Sequence, residues 1–204
     1  NLKTNYLVAL IYFKVFDPIS LYLYINIIYL IELSAIQDHV VAKLRKRLAP
    51  ELTYHNADHT IDVFQQCLSI AKQEGITDGQ PLVNLGLAAL YHDTGFIYRY
   101  QGHEEKSCEI AEAELPDFGV DPANLRDICG LIMATKVPQR PMNHLQNIIC
   151  DADLDYLGRK DFYELGAKLH RELVAFKLVG QPQRVLVVQG LLAGLDQRPG
   201  RHDR

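Results

Sequence analysis

The sequence has no clustered cysteines, no excess of positive charge and no uncharged run of bilayer length. Its cysteines, Cys67, Cys108, Cys129 and Cys150, are scattered and form no C-x-x-C pair. That spacing argues against a zinc knuckle or a disulfide framework and fits reduced thiols in a cytoplasmic protein. Lys and Arg number 21 against 25 Asp and Glu, a formal net charge of -4. No broad basic field is therefore available for duplex nucleic acid. A small anionic substrate still fits, because a bound metal supplies local positive charge.

Hydrophobic length is also short. The longest uncharged stretch, Pro18 to Ile31, makes roughly 21 Å of helix against the ~30 Å core of a bilayer. There is no clear transmembrane helix. The N-terminus lacks the basic n-region, short apolar h-region and small-residue cleavage site of a signal peptide. Internal repeats, low-complexity tracts and the period-2 alternation of strands are missing too.

What remains is a chain of 204 residues, 48% hydrophobic and 23% charged, the balance of one well-buried globular domain rather than a disordered segment. Residues 1–32 are denser in Leu, Ile, Tyr and Val than the rest and are expected to pack on the domain or on a homodimer partner; the tail of an upstream segment and a membrane-surface contact are the competing readings. The domain proper is expected over 33–180, with a C-terminal helix and polar tail over 181–204. Ile36, Val40, Val41, Leu44 and Leu48 recur at helical spacing. Asn56 or Asp58 is a candidate cap for a helix running to about Gln73. Further helices are expected over Leu82–His92, His103–Leu115, Asn124–Thr135, His144–Leu154 and Asp161–Leu178, broken by Gly75, Gly79, Gly95, Gly102 and several prolines. The fold class is all-α.

Three short segments carry chemistry. In Tyr54-His55-Asn56-Ala57-Asp58-His59-Thr60-Ile61-Asp62-Val63, the two histidines stand four apart, and one helical turn would aim both to the same side. His92-Asp93 closes an otherwise apolar helix, where an unpaired charge is costly. Asp151-Ala152-Asp153 follows the apolar run Ile148-Ile149-Cys150. Histidines and carboxylates at the inner ends of buried helices need compensation, and a metal with nitrogen and oxygen ligands supplies it. Taken singly, each has a plainer explanation as a surface or core histidine or a helix cap.

Together these segments resemble the HD superfamily of metal-dependent phosphohydrolases, over roughly residues 36 to 178. The family presents the pattern H…HD…D to one or two divalent metals from an all-helical bundle. The resemblance implies His59, His92, Asp93 and Asp153 as metal ligands, with Asp151 as a substitute for Asp153. The segment Tyr54 to Val63 is also similar to the Y-H-N-x-x-H-A-x-D-V stretch of cyclic-nucleotide phosphodiesterases, in which the earlier histidine, here His55, protonates the leaving oxygen. Thr94-Gly95-Phe96 departs from the H-x-G that follows the doublet there. The Gly102-to-Ser107 and Asp151-to-Arg159 segments are closer to the small stand-alone bacterial HD proteins.

The function implied is hydrolysis of a phosphomonoester or phosphodiester, in a nucleotide-like small molecule, by a water activated on a divalent Mn, Fe, Mg, Zn, Co or Ni ion. His55 and Asp93 are the catalytic candidates. His103, Glu104, Lys136 and Asp151 are candidates for a second metal or for substrate, and Arg99, Arg159, Tyr98 and Tyr100 are further substrate candidates. Each also has a structural reason to be where it is; Glu104 and Lys136, for example, suit a helix N-terminus and C-terminus. Two other readings compete. One is a non-catalytic HD module that binds metal or nucleotide and regulates a partner. The other is an HD-fold di-iron oxygenase, which would draw on His103 and His144.

Overall fold

In the computed structural model of the chain, residues 18–77 and 79–179 are described, with side chains from 33 onward. The expectations for residues 1–17 and for the tail over 181–204 fall outside them. Among the described residues there are helices and no strands, as the periodicity predicts. The helices are α1 (Pro18–Arg47), α2 (Ala57–Gln73), α3 (Gly79–Tyr91), α4 (His103–Glu114), α5 (Pro122–Ala134), α6 (His144–Asp153) and α7 (Phe162–Ala175). No helix among the described residues is long and apolar enough to cross a membrane.

α3 is the central rod. Asn84 to Tyr91 are all buried, and α1, α2, α4, α5 and α6 all pack on it. Gly86 sets how closely two of these neighbours approach. A Cβ there would lie 3.1 Å from Phe64 on α2 and 3.5 Å from Leu33 on α1. The core is one contiguous apolar cluster drawn from α1 to α6. A smaller cluster of Tyr54, Tyr156 and Leu169 docks α7 beside it.

Boundaries shift for local reasons. α3 begins three residues earlier than the sequence suggests, because Pro81 falls in its first turn, where a missing N–H costs nothing. α1 runs unbroken across the expected boundary at residue 32. Asn56, rather than Asp58, caps α2, with its Oδ1 accepting from the backbone N–H of Asp58 at 2.9 Å and His59 at 3.2 Å. His55 therefore stands outside the helix, one residue before the cap, so its orientation is not set by the helical repeat.

Candidate metal centre

Three helix ends meet beside Tyr54. His59 lies in the first turn of α2, His92 and Asp93 follow the last residue of α3, and Asp153 is the last residue of α6. Two of these ends are C-termini, whose exposed carbonyl dipoles favour a cation between them. His59 Nε2 is 3.5 Å from Asp93 Oδ2 and 3.3 Å from Asp153 Oδ1. His92 Nε2 is 3.2 Å from Asp93 Oδ2 and 3.8 Å from Asp153 Oδ1.

The decisive feature is what these atoms lack. His59 Nε2, His92 Nε2 and Asp93 Oδ2 are buried without a hydrogen-bond partner. Buried polar atoms are nearly always satisfied, so three unsatisfied ones facing one another mark a place for a ligand. One donor atom from each of these residues lies within 4.8 Å of the others, a group able to hold a metal ion. The second nitrogen of His92, Nδ1, is 2.7 Å from the Ala89 carbonyl. Donating there fixes the tautomer that leaves Nε2 free as a ligand. The donor set fits a divalent transition metal.

Electrostatics agree with that fit. Burial opposes charge on His92, but the adjacent Asp93 carboxylate outweighs it and the imidazole is pushed up to about 9. Burial likewise opposes charge on Asp93, yet the imidazolium of His92 holds its carboxyl far below the usual range. A cation entering this group therefore competes with a proton.

The turn after the doublet is built by Ser107. Its hydroxyl donates to the His92 carbonyl at 2.6 Å and accepts from the Gly95 N–H at 2.9 Å. A Cβ on Gly95 would sit 1.9 Å from the His103 carbonyl oxygen. Glycine is thus required for α4 to start against the doublet. That start brings His103 Nε2 to 3.5 Å from Asp93 Oδ1. Glu104, only 6% exposed, lies with its Oε1 3.6 Å from the same nitrogen. Glu104 is therefore a buried part of the site edge as well as a first-turn carboxylate.

His55 is held by a residue the sequence reading missed. Glu172, on α7, is completely buried. Its Oε2 accepts from the backbone N–H of Tyr54 at 2.8 Å and of His55 at 3.0 Å. Its Oε1 bonds the His55 Nδ1 and accepts from the Tyr100 hydroxyl at 3.0 Å. Burial opposes charge on His55, but the bond to Glu172 and the charge of Asp93 prevail, and its pKa lies above the ordinary imidazole value. Phe96 completes the arrangement, stacked on His55 at 4.5 Å and on His103 at 3.7 Å between ring centroids. A faint signal for Glu172 existed. It is an acidic residue inside the apolar stripe Leu165, Leu169 and Leu173 of an amphipathic helix. No local pattern pointed to Phe96.

The other candidates divide, with Lys136 and Arg159 lining cavities that reach the cluster. Asp151, two residues before Asp153 on α6, projects roughly 200° round the helix from it. Lys136 bonds Glu105 at the edge of a 510 Å³ cavity that also reaches Asp153, His55 and His103. Arg159 is engaged by Asp62 and Asp161. Tyr98 is exposed between Arg47 and Lys106, and Arg99 donates to the Gly102 carbonyl. His144 opens α6 at the end opposite Asp153, exposed and near Glu74.

Residues 56–155 match the family model of the HD domain. The chain carries an HD domain over these residues. Its fold is similar to the crystal structure of a predicted HD superfamily hydrolase from an uncultured Thermotogales bacterium. The TM-score is 0.51 and the identity 22%, over 78% of this chain and 92% of that one. No curated protein matches the sequence.

Proposed function

We propose that this protein is a metal-dependent phosphohydrolase that cleaves a phosphomonoester or phosphodiester of a nucleotide-like small molecule. The observation that carries the reading is the set of three unpartnered buried atoms on His59, His92 and Asp93, next to a cavity that a raised-pKa histidine also lines. His59, His92, Asp93 and Asp153 would hold the ion. When bound, the metal supplies Lewis acidity toward phosphate oxygens and toward water.

The protein's own groups do the rest. His55, whose pKa the bond to Glu172 raises above the ordinary imidazole value, donates a proton from Nε2 to the departing oxygen, while Glu172 fixes Nδ1 and so the ring's direction. Phe96, packed flat against His55 and His103, keeps both rings from rotating. Lys136 stands where a substrate phosphate enters, its charge shared with Glu105. The placement of His144 away from the cluster also favours hydrolysis over di-iron oxygenation.

The test is a panel of phosphomonoesters and phosphodiesters assayed with protein of known metal content, with Asp93→Ala as control. Turnover of at least one ester is expected, lost in Asp93→Ala. Protein that stays metal-free after soaking sinks the reading, and turnover that survives Asp93→Ala places the chemistry elsewhere.

A further inference from the structure

The cavity beside the metal-ligand cluster is far larger than a phosphoryl group requires, and its outer wall does not resemble a phosphate site. Its volume is 510 Å³, within the roughly 300–1,000 Å³ of small-molecule pockets. Asp153, His55 and His103 line it. Aliphatic side chains line it too: Leu154 at the end of α6, Leu169 and Leu173 on α7, Leu178 and Val137. Leu178 and Val137 are 40% and 65% exposed. Apolar surface turned toward a cavity forgoes burial that would stabilise the fold, so its retention needs a reason.

Two of the cavity's polar groups are already engaged. The Tyr100 hydroxyl donates to Glu172, and Lys136 is bonded to Glu105. α7 makes both features with one face. Leu169 and Leu173 flank Glu172 at helical spacing, so the helix that aims a carboxylate at His55 also lays leucines along the cavity. α7 lies beyond the residues 56–155 that match the HD domain.

We infer that the substrate's organic group is bulky and apolar, and that it packs on the leucine wall of α7 while its phosphoryl group faces Asp153 and His103. The inference rests on the phosphohydrolase reading for the position of the phosphoryl end. It adds that selection among phosphate esters is made in part by apolar contact.

Binding of inert phosphonates to protein reconstituted with Mn2+, followed by isothermal titration, tests this without relying on turnover. Benzylphosphonate is expected to bind at least tenfold more tightly than methylphosphonate, and 2-hydroxyethylphosphonate no more tightly than methylphosphonate. Leu173→Asn brings benzylphosphonate to the methyl level, whereas Leu173→Met keeps the preference; both variants are compared at matched helical content. Equal affinities of the benzyl and methyl compounds, or a preference for the hydroxyethyl compound, overturn the inference and leave the phosphohydrolase reading standing. A benzyl preference that persists in Leu173→Asn overturns the role of the wall. Failure of all three phosphonates to bind metal-loaded protein removes the phosphohydrolase reading, and this inference falls with it.

Discussion

The end of the bundle where α3 and α6 stop, and the face of α7 laid against it, each bury a carboxylate, and the two are treated in opposite ways. Asp93 is 5% exposed and its Oδ2 has no hydrogen-bond partner, with two equally unpartnered imidazole nitrogens in front of it. Glu172 is fully buried and accepts from two backbone N–H groups, an imidazole and a phenol. A satisfied buried carboxylate fixes structure, whereas an unsatisfied group that faces other unsatisfied groups is poised for something not supplied by the chain. The first region could hold a metal ion, and the second fixes His55 beside it.

The largest effect that separates them is on metal binding. Adding a divalent metal at a hundred times its Kd should raise wild-type stability by about 2.7 kcal/mol. Asp93→Ala should abolish that gain, and a chelator should reverse it in the wild type; thermal melts with and without metal measure both. Glu172→Ala should behave differently. It leaves two backbone donors and His55 without an acceptor, costs about 3 kcal/mol of stability, and lowers turnover by roughly 10–100-fold while metal binding persists. A Glu172→Ala protein that loses metal instead would merge the two regions into one.

Acid sharpens the contrast. Burial opposes charge on Glu172, but its bonds to His55 and to the backbone hold its carboxyl below the ordinary value of 4.5. As pH falls through 4.5 the unfolded chain takes up the proton first. The stability Glu172 contributes is therefore full above that pH and is lost as pH drops through the folded pKa. Glu172→Gln should lack this component in urea titrations at stepped pH. In the other region, a metal needs neutral His92, whose pKa without metal is about 9. Metal affinity should thus climb as pH rises and level off above about 9, as competition titrations would show. The smallest effect belongs to Lys136→Ala. Its exposed pair with Glu105 predicts little change in stability, so any rise in KM beyond a few-fold would report contact with substrate phosphate.

Much of this could be read from the chain alone, though unevenly. The helices were legible because apolar residues at helical spacing report a buried face wherever the partner helix lies. His59, His92, Asp93 and Asp153 were legible because polar groups at the ends of apolar helices require compensation. His55 was correctly grouped with His59, but for a different physical reason than the spacing implied. It precedes the cap of α2, and Glu172, from a helix more than a hundred residues later, sets its direction. Glu104 could be read only as a first-turn carboxylate, since its burial depends on how α4 starts against Gly95.

The sequence by itself determined the all-α class and the residues that converge as metal-ligand candidates, because both follow from local patterns of apolar and polar residues. Only the tertiary structure decided which side chains share a cavity. Asp153 rather than Asp151 joins the cluster, Phe96 separates two histidines, Tyr98 turns elsewhere, Arg159 lines a second cavity with His59 and Asp153, and α7 supplies Glu172 and the leucine wall. Those outcomes depend on helix crossings and on close approaches such as Gly86 and Gly95, which bring together residues with no common period along the chain.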